Sequence, residues 1–231
     1  MAEKIYTIPV NEAFDKKDGC PFCALYELLV QRELESLMEG GVMEPNVRIE
    51  TNKLGFCDEH FAALLGMQKR LPTALMMETH LSEHIAQILK GGAFAKPGSV
   101  ADKAVAAADS CFICSNVAEK FDKMFECAAY LYGADGAFKK KLASQPYFCL
   151  RHYGKYIKAA SGELSKKEFA EFYKTISELE QSYVATLNED VSWYCKKFDY
   201  RYKDEDWKNS KDSIERTIAF VCGSEHRHTE K

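Results

Sequence analysis

Nowhere in this sequence do about 20 apolar residues follow one another, the length a membrane-spanning helix requires. The opening stretch, MAEKIYTIPVNEAF, scatters Glu3, Lys4 and Glu12 where a signal peptide needs an unbroken apolar run. A cytoplasmic protein is therefore expected. An excess of positive charge is missing too. The formal net charge of -4 at pH 7 argues against a surface built to neutralise phosphates or anionic lipids, so neither nucleic acid nor membrane is an expected partner. There is no glycine-rich phosphate loop, nucleophile elbow or paired-carboxylate constellation, so no catalytic residue is assigned and no enzymatic activity is expected. Strand-like character is confined to VRIET at 47–51.

Cysteine, by contrast, is abundant. Nine occur among 231 residues, many for a chain whose compartment keeps thiols reduced. An odd count also leaves one thiol over in any closed disulfide framework. Six of them fall into two sets, Cys20, Cys23 and Cys57, then Cys111, Cys114 and Cys149. A histidine follows the third cysteine of each set at one offset, giving FCDEH with His60 and FCLRH with His152. First and third cysteines are 37 residues apart in one set and 38 in the other, and the sets lie 91 to 92 residues apart.

The surrounding text repeats as well. Each C-x-x-C leads into a helical pattern, and each C-x-x-H is flanked by aromatics, in GFCDEHF and YFCLRHY. Two pseudo-repeats of helical hairpins are expected, 1–95 and 100–200, joined near GGAFAKPGS at 91–99, with a C-terminal helix and tail over 201–231 packed on the body. Helical stripes run through Leu25, Leu28, Leu29, Leu34 and Leu37, and through Val117, Phe121, Met124, Phe125, Ala128 and Tyr132. Others follow His60, span Leu75 to Leu89, and include SKDSIERTIAFVC. Ser165 and Glu168 form a capping box for a long stripe that reaches Tyr194. The expected class is mainly α.

Two cysteines in C-x-x-C can aim both sulfurs at one point, and a C-x-x-H elsewhere supplies the other two corners of a tetrahedron. The expected ligands are Cys20, Cys23, Cys57 and His60 in one shell and Cys111, Cys114, Cys149 and His152 in the other. The pairing is open at this level, since the C-x-x-C of one half can equally meet the C-x-x-H of the other; sequence order favours the arrangement in which each repeat closes its own shell. The cofactors implied are two zinc ions, with an iron-sulfur cluster or a thiol redox and metal-delivery role as the alternative. Closed shells make the metals structural, and the protein a binding or adaptor module for an unidentified protein or small molecule.

Weaker motifs carry less. CPFC resembles the redox disulfide of thioredoxin-like proteins but lacks a preceding strand. His80, Glu83 and His84 match H-x-x-E-H, for which no third ligand is visible. His226 and His228 fall in a terminus expected to fray. Cys127, Cys195 and Cys222 lie in helical patterns and are expected to be buried.

EKIYTIPVNEAF, CPFCAL, MEPNVRIETN with GFCDEHF, and SKDSIERTI together resemble an uncharacterised bacterial family associated with anaerobic Firmicutes over nearly the whole chain. Members are sometimes labelled transporter substrate-binding proteins. That label implies an export or lipid-anchor signal, which does not fit the opening residues.

Overall fold

The computed structural model describes residues 4–90 and 96–223, and among them every regular element is a helix. The chain runs through α1 (Thr7–Lys16), α2 (Pro21–Glu39), α3 (Pro45–Leu54) and α4 (Asp58–Gly66). Next, α5 (Arg70–Thr79) continues through a π-helical turn, His80–Ile85, into α6 (Ala86–Lys90). The remainder is α7 (Pro97–Ala108), α8 (Phe112–Ala134), α9 (Gly136–Ala143), α10 (Leu150–Glu163), α11 (Lys166–Lys196) and α12 (Ser213–Cys222). The protein is mainly α.

Local chemistry explains most of the starts. Pro21, Pro45 and Pro97 each occupy the first helical position, where the missing N–H costs nothing and the fixed φ is already helical. The capping box at α11 is complete: the Ser165 side chain accepts from the Glu168 N–H, and the Glu168 carboxylate accepts from the Ser165 N–H. VRIET, the one strand-like stretch, lies inside α3. With Pro45 setting the first turn, Thr51 is the residue this helix buries, and nothing pairs with the segment as a strand.

Two compact units form, and they do not follow the sequence halves. Within the described residues, one comprises 4–27 and 121–223, the other 28–90 and 96–120. The chain passes from the first to the second within α2 and returns within α8.

The first unit is organised by aromatic rings. Phe22 stacks on Phe125 at 4.0 Å between centroids, and Tyr156 meets Phe22 and Phe172 edge-on, each at 4.9 Å. Phe14, Phe138 and Phe148 complete a fully buried cluster. Burial of each such ring contributes on the order of 1.5–3 kcal/mol. Helix α12 docks through Phe220 against Tyr183 and Tyr147, at 5.5 and 6.0 Å. The buried Lys197 ammonium donates to the carbonyls of Tyr202, Lys203 and Glu205, which folds the loop leading to α12.

In the second unit, the Arg48 guanidinium on α3 donates to the Leu75 carbonyl and the Thr79 hydroxyl at 2.8 and 2.6 Å, joining α3 to α5. Gly55 ends α3 with φ +58, and a Cβ there would stand 2.8 Å from His80 Nε2. Only glycine fits that approach. Its carbonyl accepts from the Phe112 N–H at 2.9 Å, while the Ser110 hydroxyl donates to the Leu54 carbonyl at 2.7 Å. This clasp brings the segment before Cys57 against the segment before Cys111.

Two of the three additional cysteines contradict the expectation. Cys127 is buried, but Cys195 and Cys222 are exposed. Each lies at or near the end of its helix, where the apolar stripe has run past the core. Residues 91–95 of the expected junction, and the tail with His226 and His228, lie outside the described residues.

Candidate metal centres

All four ligand pairs occupy equivalent helix positions. The residue before a helix, its N-cap, already offers its carbonyl to the first intrahelical bond, and the third residue inside points its side chain back toward it. Cys57 is the N-cap of α4 with His60 three residues on, and Cys149 is the N-cap of α10 with His152 three residues on. The Cys20 carbonyl accepts from the Ala24 N–H and the Cys111 carbonyl from the Ser115 N–H, so these cysteines are the N-caps of α2 and α8. The Cys114 N–H points at the Cys111 sulfur at 3.5 Å, as an N3 amide points at a capping serine. The i, i+3 spacing is thus that of a capping box, with sulfur and imidazole in place of hydroxyl and carboxylate.

These starts converge in pairs. One group is Cys20, Cys23, Cys149 and His152, and the other is Cys57, His60, Cys111 and Cys114; within each, all ligand atoms lie within 4.8 Å of one another. The expectation that each sequence half closes its own shell is therefore overturned: the C-x-x-C of each half meets the C-x-x-H of the other. Helix length supplies the reason. Nineteen residues of α2 and 23 of α8 rise about 28 and about 34 Å at 1.5 Å per residue. Each helix carries the chain far from the ligands at its own start before the C-x-x-H of the same half is reached. The crossing places each group wholly inside one compact unit.

In the first group the His152 Nδ1 stands 3.5 Å from both the Cys20 and the Cys23 sulfur, and the Cys23 and Cys149 sulfurs are 3.7 Å apart. His152 is fully buried, with Phe121, Phe125 and Phe22 rings at 5.3, 5.8 and 6.1 Å. In the second group His60 Nδ1 lies 3.1 Å from Cys57, 3.4 Å from Cys111 and 3.4 Å from Cys114, with Cys57 and Cys114 3.9 Å apart. Gly223, just past α12, closes over the first group. A Cβ there would stand 2.7 Å from the Cys149 sulfur, and its φ of +65 independently favours glycine.

Crowding dictates the electrostatics. Hydrogen bonds from Cys149 and Cys20 hold the Cys23 thiol far below its ordinary range, while burial pushes Cys20 well above it. In the second group the Cys114 hydrogen bond brings Cys111 down to about 3, that same pairing raises Cys114, and burial raises Cys57. Three thiols so close cannot all ionise against one another, and a cation at their centre is what lets them do so. Helix dipoles act in the same direction. A divalent ion with three thiolates and a neutral imidazole carries one net negative charge, and the two helix N-termini at each site present roughly +0.5 each.

Beside the first group, Glu180 on α11 is 7 % exposed, and its Oε1 accepts from the Phe148 N–H at 2.6 Å, one residue before Cys149. Burial raises its pKa to about 7. A carboxyl whose pKa is raised by folding favours the folded state below the unfolded value of about 4.3, and that advantage is lost as pH rises through the folded value. At about 1.4 kcal/mol per unit the full loss is about 4 kcal/mol. Glu180→Gln keeps the acceptor for Phe148 and removes the charge. Between pH 5 and pH 8 the wild type should lose about 2–3 kcal/mol more stability than the variant in urea denaturation.

His80 and His84 do not join either group. Their rings stack at 5.7 Å, His80 Nδ1 lies 2.7 Å from the Asn52 carbonyl, and Glu83 accepts from the Asn52 amide. Among the described residues, no third ligand accompanies them. Nor is any described helix long and apolar enough to cross a membrane.

The model of a family of unknown function, DUF6062, matches residues 1–228. The chain belongs to that family. No curated protein and no solved structure matches this DUF6062 chain. Its chemistry is therefore read from its own two ligand groups.

Proposed function

We propose that this is a non-enzymatic helical protein with two structural zinc ions, acting in the cytoplasm as a binding or adaptor module for a protein or small-molecule partner. One observation carries the reading: each group is the right size for a single tetrahedral ion. With Zn–S at about 2.3 Å and Zn–N at about 2.0–2.1 Å, tetrahedral geometry sets sulfurs about 3.8 Å apart and sulfur and nitrogen about 3.6 Å apart. The first group has 3.7 and 3.5 Å, and the second has 3.9 and 3.1–3.4 Å. An iron-sulfur cluster distributes its ligands over several iron atoms and needs them farther apart, so the spacing weighs against it. Four protein ligands leave no corner for water or substrate, which favours a structural over a catalytic metal. The equivalent helix positions of all four pairs support reading the two sequence halves as an internal repeat.

Elemental analysis of untagged, anaerobically purified protein tests the reading. Two zinc per chain in a colourless solution is the expected result. Iron with sulfide, or protein that folds without metal, overturns it.

A further inference from the structure

The second unit holds a hollow that the metal shells do not use. Helix α7 is 12 residues long and buries no side chain fully, and neither do α6 or the π-helical turn. The inner side of α7 carries Val100, Ala104 and Ala107 at helical spacing, all half-buried. A helix with an apolar inner side and nothing fully buried stands over a cavity rather than a packed core.

Two cavities lie there. The larger, of about 650 Å³, has an apolar side made by Leu54, Ile88, Val100 and Ala107, and a mouth with Lys53, Lys103 and His84. The smaller, of about 220 Å³, shares Ile88 and Ala107 with it and continues among Phe56, Ile85 and Leu89. The larger volume falls within the range of about 300–1,000 Å³ usual for small-molecule sites. Among the described residues its lining includes no carboxylate. Neither Lys53 nor Lys103 forms an ion pair with any described residue. Two unpaired ammonium groups over an apolar floor complement a ligand with an anionic head and an apolar body.

We infer that this hollow binds an amphipathic organic anion, a carboxylate or phosphate monoester on an apolar chain, with its head at Lys53 and Lys103 and its chain running between α6 and α7. No described residue lining this site belongs to either ligand group. Its floor is nonetheless the clasp that carries the second ligand group, because Leu54 and Ser110 line the cavity and bond to each other directly before Gly55 and Cys111.

Titration of ¹⁵N-labelled full-length protein with decanoate, decyl phosphate, decanol and decyltrimethylammonium tests this. Either anion should shift amides within 53–54, 84–88 and 99–110, and bind about tenfold more tightly than the cation. The tighter anion identifies the head group. Lys53→Gln combined with Lys103→Gln, both at exposed positions, should weaken the anions about tenfold and leave decanol unchanged. Equal binding of all four probes, shifts confined to other surfaces, or no binding overturns the inference.

Discussion

Alanine at both Cys20 and Cys149 should leave one metal ion per chain, whereas alanine at both Cys20 and Cys57 should leave none. The first pair removes two ligands from one shell, and the second removes one ligand from each. Were the shells closed within the sequence halves, the two results would be exchanged. Counting ions by native mass spectrometry separates the arrangements, with Cys127→Ala as a control that keeps both ions because Cys127 stands outside both groups. The effect on folding should be large. Structural zinc contributes on the order of 10 kcal/mol of apparent folding free energy, against about 5–15 kcal/mol for the net stability of a domain. Cys149→Ala should therefore loosen the unit of 4–27 and 121–223, and leave the metal of the other unit bound.

The eight cysteines and histidines that gather into the two groups were legible in the sequence because their chemistry is local. C-x-x-C and C-x-x-H place two ligands on one helix turn, and the apolar stripes following them mark the helices that Cys20, Cys57, Cys111 and Cys149 begin. The partnership between pairs was not legible. It depends on where α2 and α8 deliver the chain, a matter of helix length and tertiary path that identical motifs cannot encode. Helix α7 went unseen because its valine and alanines bury too little to make a strong stripe. Gly55 and Gly223 were not singled out either, since what requires glycine there is the approach of His80 in one case and of the Cys149 sulfur in the other. The long aromatic core was visible as stripes on α8 and α11, but not its convergence on His152.

A chelator should remove the ion held by Cys20, Cys23, Cys149 and His152 before the other. Release requires an incoming ligand to reach the shell. Cys57, His60, Cys111 and Cys114 are all buried, whereas Cys23 is half-exposed. A cavity of about 390 Å³, lined in part by Asp18, Cys20, Cys23 and Glu27, opens at that sulfur. On the zinc reading, this cavity is the route by which an attacking ligand should reach the first ion without unfolding. The second ion must wait for a local opening, and an opening free energy of about 3 kcal/mol slows release roughly a hundredfold. Mixing the loaded protein with 4-(2-pyridylazo)resorcinol should give two absorbance phases of one equivalent each. The fast phase should vanish in Cys20→Ala, which lacks a complete first shell. A single phase, or a fast phase that survives this substitution, would show that exposure of Cys23 does not govern release. Since each shell caps two helix starts in its own unit, the order of release should also set the order of unfolding. Loss of the first ion should free α2 and α10 at their N-termini, while α4 and α8 stay joined until the second leaves.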